Sequence, residues 1–248
     1  MSEMEVFYRL EGKGPVLVFN HGWTMSHRFF ERQRALCDRF QILLWDLPGH
    51  GDSEKRDSGY DLADCSRALH QLLSDLGLKR VIGLGWSMGA QVLWDYVARF
   101  GAGPFVQLVN VEAVPWGDPA RYHVAGVTHS FHRDRPRAAR KFVKSMFFKP
   151  PDAETLEWMV EESLRSPTPI ALKYYEEIAH LDYRQAFAAA AVPVHSLLTR
   201  HGFHQDQGPK IEALRPRDQL TWFDASGHMP FWEEAEKFNA WVTNHFGG

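Results

Sequence analysis

Residues 81–100 read VIGLGWSMGAQVLWDYVARF, a short apolar run joined through a serine to a longer amphipathic one. VIGLG has the near-continuous apolarity of a parallel strand buried on both faces, and AQVLWDYVARF carries a helical period. The join, Gly85-Trp86-Ser87-Met88-Gly89, is therefore G-x-S-x-G in a strand, turn, helix context. A sharp turn there lifts the Ser87 hydroxyl above the sheet edge. Side chains two residues before and after it would collide unless small, which Gly85 and Gly89 satisfy. The helix that starts after Ser87 also aims its first amides at any oxyanion formed on the serine's target. The pentapeptide alone is weak evidence because glycine and serine are common, and the flanking pattern is what makes it specific.

Outward from this segment, apolar runs alternate with helical patterns. Strands are expected at Pro15 to Asn20, Gln41 to Asp46, Val81 to Gly85, Gln107 to Val111, Val194 to Leu198 and Gln219 to Phe223, with an antiparallel edge strand at Glu5 to Leu10. Helices are expected at Phe29 to Phe40, Leu62 to Leu76, Met88 to Phe100 and Pro230 to Phe246. The alternation predicts an α/β fold with a mostly parallel sheet covered by helices on both faces. It breaks between Pro115 and Val192, where helical patterns at Arg137 to Phe148, Ala153 to Arg165 and Ile170 to Ala179 are punctuated by prolines. We expect residues 1–114 and 193–248 to form one core and residues 115–192 a helical lid over it, a single domain overall.

Two further phrases accompany the serine turn. PVLVFN ends in His21-Gly22-Trp23, and QILLWD ends in Leu47-Pro48-Gly49-His50-Gly51-Asp52-Ser53. In content, order and spacing the three phrases resemble the α/β-hydrolase superfamily over essentially the whole chain. The resemblance implies a lid after the family's sixth strand and an oxyanion hole made by the backbone N–H groups of Trp23 and Met88, with His21 holding its loop. The family's base is a histidine after the last strand. Here QLTWFD is followed by ASGHMPFW, which points to His228.

The family's acid is usually an aspartate just past the strand Val194 to Leu198. This sequence reads LLTRHGFHQDQG there, the expected position falls near Gly202, and the nearest acid is Asp206. Relatives similar to non-haem chloroperoxidases and quinolone dioxygenases carry the acid after the preceding strand, where VQLVNVEAVPW offers Glu112. Glu112 and Asp206 both preserve the serine, acid, histidine order. Glu112 is the preferred candidate and Asp206 the alternative. A salt bridge to the lid is the structural account of Glu112.

Composition bounds the rest. Hydrophobic residues make up 44% and charged residues 24%, enough apolar content for a packed core. A net charge of -3 gives no general attraction to nucleic acid or to anionic membrane. The opening MSEMEVFYRLEGKG has neither a basic start nor an apolar run, and no segment is long and apolar enough to span a bilayer, so a cytoplasmic protein is expected. Cys37 and Cys65 read as buried thiols, and the spacing of His195, His201 and His204 falls outside usual zinc patterns. Neither a metal nor a cofactor is called for.

The lid segment carries Arg133, Arg135, Arg137, Arg140, Lys141, Lys144 and Lys149 against one acid, Asp134. On one account acids elsewhere in the lid offset a solvated basic face; on the other, Arg133, Arg137, Arg140, Lys141 and Lys144 dock an acidic partner such as an acyl carrier protein. HGW, DLPGHG and GWSMG are together similar to pimeloyl-acyl-carrier-protein methyl ester esterases of biotin synthesis, which implies a carrier-bound ester. Trp23, Trp86, Trp116, Phe147, Phe148, Tyr174 and Tyr175 fall in segments able to line the cleft. The expected activity is carboxylic ester cleavage by a serine esterase. Two other readings stay open: a cofactor-independent oxygenase or perhydrolase on the same fold, and a non-catalytic binding protein.

Overall fold

The computed structural model describes residues 4–56 and 60–247. Seven strands form one sheet: β1 Tyr8–Gly12, β2 Val16–Asn20, β3 Gln41–Trp45, β4 Val81–Trp86, β5 Phe105–Val111, β6 Val194–Thr199 and β7 Gln219–Phe223. Their spatial order is β1-β3-β2-β4-β5-β6-β7. Only β1 runs antiparallel, pairing Arg9 with Leu44, while the other pairs are parallel. The edge strand thus lies a few residues later than Glu5 to Leu10. The helices are α1 Leu62–Asp75, α2 Met88–Phe100, α3 Pro119–Tyr122, α4 Val124–Arg133, α5 Arg135–Ser145, α6 Ala153–Leu164, α7 Thr168–His180, α8 Arg184–Ala189, α9 Gly208–Leu214, α10 Pro230–Glu233 and α11 Ala235–Phe246. A kinked 3-10 helix, His27–Asp38, occupies the segment expected as an α-helix from Phe29.

The period of two in the strands separates two cores. Leu17, Phe19, Ile42, Leu44, Ile82 and Leu84 meet the 3-10 helix and α11 on one face. Val18, Leu43, Trp45, Val81 and Leu108 meet α1 and α2 on the other. Burying both faces is why these strands read as unbroken apolar runs. Cys65 is buried in this second core, but Cys37 is only partly buried, since it stands near the exposed end of the 3-10 helix.

Six helices, α3 to α8, fill the stretch between β5 and β6, more than the three periodic segments predicted. The missed ones are short or polar. The expected helix Pro230 to Phe246 is broken at Glu234, whose φ of -117° and ψ of 47° leave helical space. Among the described residues no helix is long and apolar enough to cross a membrane.

In the loops past the carboxyl ends of β2 and β3, His21 and His50 lie fully buried with rings 5.2 Å apart. The Leu47 N–H donates to His21 Nε2 at 3.0 Å, so its proton sits on Nδ1, which donates to the Gly22 carbonyl at 2.9 Å. Burial pulls the His21 imidazole down to about 4 and that of His50 to about 3. The unfolded chain therefore binds protons below its ordinary value of 6.5 that the folded chain refuses until much lower pH. Stability contributed by these two neutral rings is complete above that value and falls as pH drops. Urea unfolding should lose at least about 2 kcal/mol between pH 6 and pH 5. A flat profile there would show that the two rings are not buried neutral.

Candidate active site

Strand β4 ends at Trp86 and α2 begins at Met88, so Ser87 alone makes the turn, at φ 53° and ψ -121°. A non-glycine residue holds such a conformation only when its surroundings enforce it. The Ser87 N–H donates to the Val111 carbonyl at 3.0 Å, and the Ser87 carbonyl accepts the Ala90 N–H at 3.0 Å. A methyl group at Gly85 would overlap Ala90, and one at Gly89 would overlap the Asn20 carbonyl. The two glycines let the turn close.

Across β4 and β5, Trp86 lies opposite Val111. Ser87 and Glu112 are therefore the first residues beyond two paired strand ends. Glu112 is also left-handed, at φ 44°, with its N–H held by the Leu197 carbonyl at 2.8 Å. Its carboxylate turns over the end of β6. Oε1 accepts the Thr199 N–H at 2.9 Å, and Oε2 accepts the Phe203 N–H at 3.1 Å. Oε2 also lies 3.1 Å from His228 Nδ1. Burial opposes the Glu112 charge, yet the His228 hydrogen bond and the surrounding imidazoles and amides together hold the carboxyl below its usual range. An ionised carboxylate only accepts, so Nδ1 carries a proton, and in the neutral ring the lone pair falls on Nε2.

The position where relatives usually carry an aspartate explains its own vacancy. A Cβ on Gly202 would overlap both Glu112 Oε2 and Thr199 Oγ1. The Glu112 carboxylate occupies the space that a side chain at 202 would need, so glycine there and glutamate at 112 go together.

His228 is 2% exposed and is held through its backbone. Its N–H donates to the Met146 carbonyl, just past α5, at 2.6 Å, and its carbonyl accepts Trp86 Nε1 at 2.8 Å. The Phe203 ring stands 4.4 Å from the imidazole. Glu233 ties the same loop to the lid, accepting the Gly227 N–H at 2.7 Å and the Lys149 N–H at 3.0 Å.

Ser87 and His228 open on one cavity of about 320 Å³, which Trp23 also lines. The Trp23 indole is fixed by its Nε1, which donates to the Ala171 carbonyl of α7 at 2.7 Å, and by Phe142 and Tyr175, with rings 5.0 and 4.5 Å away. Met88 is buried at the first position of α2. Tyr122, Phe142, Tyr175 and Phe203 make the remaining walls mostly aromatic. Of the aromatics expected at the cleft, only Trp23 and Tyr175 reach it. Trp86 and Tyr174 are core residues, and Phe148 is exposed, stacked on His201 at 3.7 Å. Tyr174 and Tyr175 differ because successive helical residues point about 100° apart.

Asp206 is kept away from His228. It is mostly exposed and bound through both oxygens by Arg121, at 2.6 and 3.0 Å, which holds its carboxyl well below the usual range. Arg121 and His204 also line the cavity, and no periodic signal marked either. His195 instead bonds Gln107 at 2.9 Å, so the three clustered histidines occupy separate settings. On the lid, Arg133, Arg137, Lys141 and Lys144 are exposed, whereas Arg140 is paired with Glu157 at 2.5 Å. Arg135 packs over Phe131 at 4.1 Å, and burial pulls it down to about 10. Among the described residues, His27, Asp46 and Asp52 bring possible metal-ligand atoms together, but Asp46 is already filled by the His27 N–H, the His27 ring and the Asp52 N–H.

Comparison with known proteins gives the family. Residues 16–241 match the alpha/beta hydrolase family. The chain belongs to that family. It is 26% identical over 249 residues to the AB hydrolase superfamily protein YisY of Bacillus subtilis, covering 94% of this chain and 91% of that one. It is 25% identical to a pimeloyl-[acyl-carrier protein] methyl ester esterase of Vibrio cholerae over 95% of each. An esterase from Exiguobacterium antarcticum superposes with a TM-score of 0.88 at 22% identity, over 98% of this chain and 95% of that one, which supports the fold.

The exclusion between positions 112 and 202 is measurable. Gly202→Ala should cost about 1–3 kcal/mol of stability by forcing the carboxylate aside. Added to Glu112→Ala, the same change should cost much less. A double-mutant cycle with no coupling would contradict the overlap.

Proposed function

We propose that this α/β hydrolase is a serine esterase that cleaves a carboxylic ester through an acyl-enzyme. The observation that carries this reading is the buried Glu112–His228 hydrogen bond beside Ser87 at the floor of an aromatic cavity. In this reading His228 Nε2 takes the Ser87 proton as Oγ attacks the ester carbonyl, and Glu112 stabilises the resulting imidazolium. The amides of Trp23 and Met88 receive the oxyanion. His228 then gives the proton to the departing alcohol, and water hydrolyses the acyl-enzyme by the same route. No step requires a cofactor.

Turnover of p-nitrophenyl esters by the wild type and by Ser87→Ala, Glu112→Ala and Asp206→Ala tests the assignment. Ser87→Ala should lose at least about 10⁴-fold in kcat and Glu112→Ala about 10²–10⁴-fold. Asp206→Ala should stay within a few-fold. The double variant Glu112→Ala/Gly202→Asp, which moves a carboxylate into the vacated space, should regain at least about tenfold over Glu112→Ala. Loss of activity in Asp206→Ala alone would transfer the role of acid to Asp206. Oxygen uptake with a hydroxyquinolone and no ester turnover would replace the esterase reading by an oxygenase.

For the substrate, we propose an ester presented by an acidic carrier. Arg137, Lys141 and Lys144 fall at helical spacings of four and three on α5, whose Phe142 and Ser145 line the cavity. A basic stripe on the helix that walls the site places an acidic partner beside its entrance. Lys141→Glu/Lys144→Glu should raise KM for an acyl-carrier-protein methyl ester at least about tenfold, with a flattened salt dependence, and leave KM for p-nitrophenyl esters nearly unchanged. Equal effects on both substrates would remove the carrier.

A further inference from the structure

His204 is buried, 6% exposed, and belongs to the lining of the cavity that holds Ser87 and His228. Its ring centre is 6.2 Å from that of His228, and the proposed chemistry does not use it. Its Nδ1 is shut away from solvent with no hydrogen-bond partner, which leaves Nε2 as the ring nitrogen able to meet a molecule in the cavity. A neutral imidazole always offers one N–H and one lone pair, and an N–H left unpaired at the sealed Nδ1 would be the costlier orphan, so the N–H falls on Nε2, where a partner in the cavity can take it. Burial pulls this ring down to about 4, so near neutral pH it is uncharged.

The neighbouring charges are already matched. Arg121, on the same wall, gives both ends of its guanidinium to Asp206 and also donates to the Phe203 carbonyl at 2.6 Å. That leaves an uncharged hydrogen-bonding ring set among aromatic walls, a poor site for an anion and a good one for a neutral oxygen. Separation from His228 puts that oxygen a few bonds from the scissile carbonyl.

We propose that His204 is a substrate-recognition residue, whose ring N–H binds a ketone carbonyl on the acyl chain of the ester attacked by Ser87. The inference rests on the esterase reading and narrows its substrate class from esters in general to oxo-acyl esters.

The test compares p-nitrophenyl 4-oxopentanoate with its isostere p-nitrophenyl 4-methylpentanoate. Wild type should prefer the oxo ester at least about tenfold in kcat/KM, chiefly through KM. His204→Phe, which keeps a ring but no N–H, should bring the ratio close to one, and His204→Gln, which keeps a donor, should retain most of it. A wild-type ratio near one, or the same ratio in His204→Phe, overturns the proposal while leaving the esterase reading intact. A second readout does not need turnover: tryptophan fluorescence gives Kd for both uncleaved esters with Ser87→Ala. The same preference should appear in Kd and vanish in Ser87→Ala/His204→Phe, and equal Kd values in Ser87→Ala overturn the proposal. Absence of wild-type turnover with a preserved Kd preference would instead remove the esterase reading and keep His204 as a ligand-binding residue.

Discussion

The Glu112 carboxylate has to stay ionised at the centre of the protein, where nothing cationic is permanently beside it. Two amides, from Thr199 and Phe203, and the Nδ1–H of His228 replace the water it gives up. Much of the local structure follows from that requirement. The backbone at Glu112 is left-handed so that its side chain reaches across β6. The loop after β6 is shaped to aim the Phe203 amide inward, and residue 202 has no side chain because a carboxylate fills its place. The His228 tautomer, and hence the lone pair left toward the cavity, is set by the same contact.

Two adjacent strands, β4 and β5, are each followed directly by a non-glycine residue at positive φ, Ser87 and Glu112. Each strained residue has its N–H fixed by the next strand's carbonyl, Val111 for Ser87 and Leu197 for Glu112. The conformational cost is thereby spread over a ladder that the sheet maintains for packing reasons. A sheet rigid enough to hold one such residue holds the second by the same means.

The sequence made the sheet legible because strands buried on both faces leave unbroken apolar runs, and the serine turn because glycine is obligatory on each side of it. Glu112 stood out as an acid at the end of such a run. The lid was less readable. α3 and α8 span only Pro119–Tyr122 and Arg184–Ala189, too short to display a period, and Tyr174 and Tyr175 could not be told apart until the helix was oriented. Arg121 and His204 lie in a short helix and in a loop, brought to the cavity by tertiary packing alone. The lid's basic composition also overstated its free charge, since Arg140 is paired and Arg135 is packed under the surface.

The Met146 carbonyl, at the end of a lid helix, holds the backbone of His228. The lid is thus a structural support of His228 as well as the roof of the pocket. A lid of different size or pocket shape keeps that support only if it returns a carbonyl to the same point. A graft that reproduced every wall of the cavity but ended α5 one residue early would strip the histidine loop of that hydrogen bond and leave it on its ties to Trp86 and Glu233.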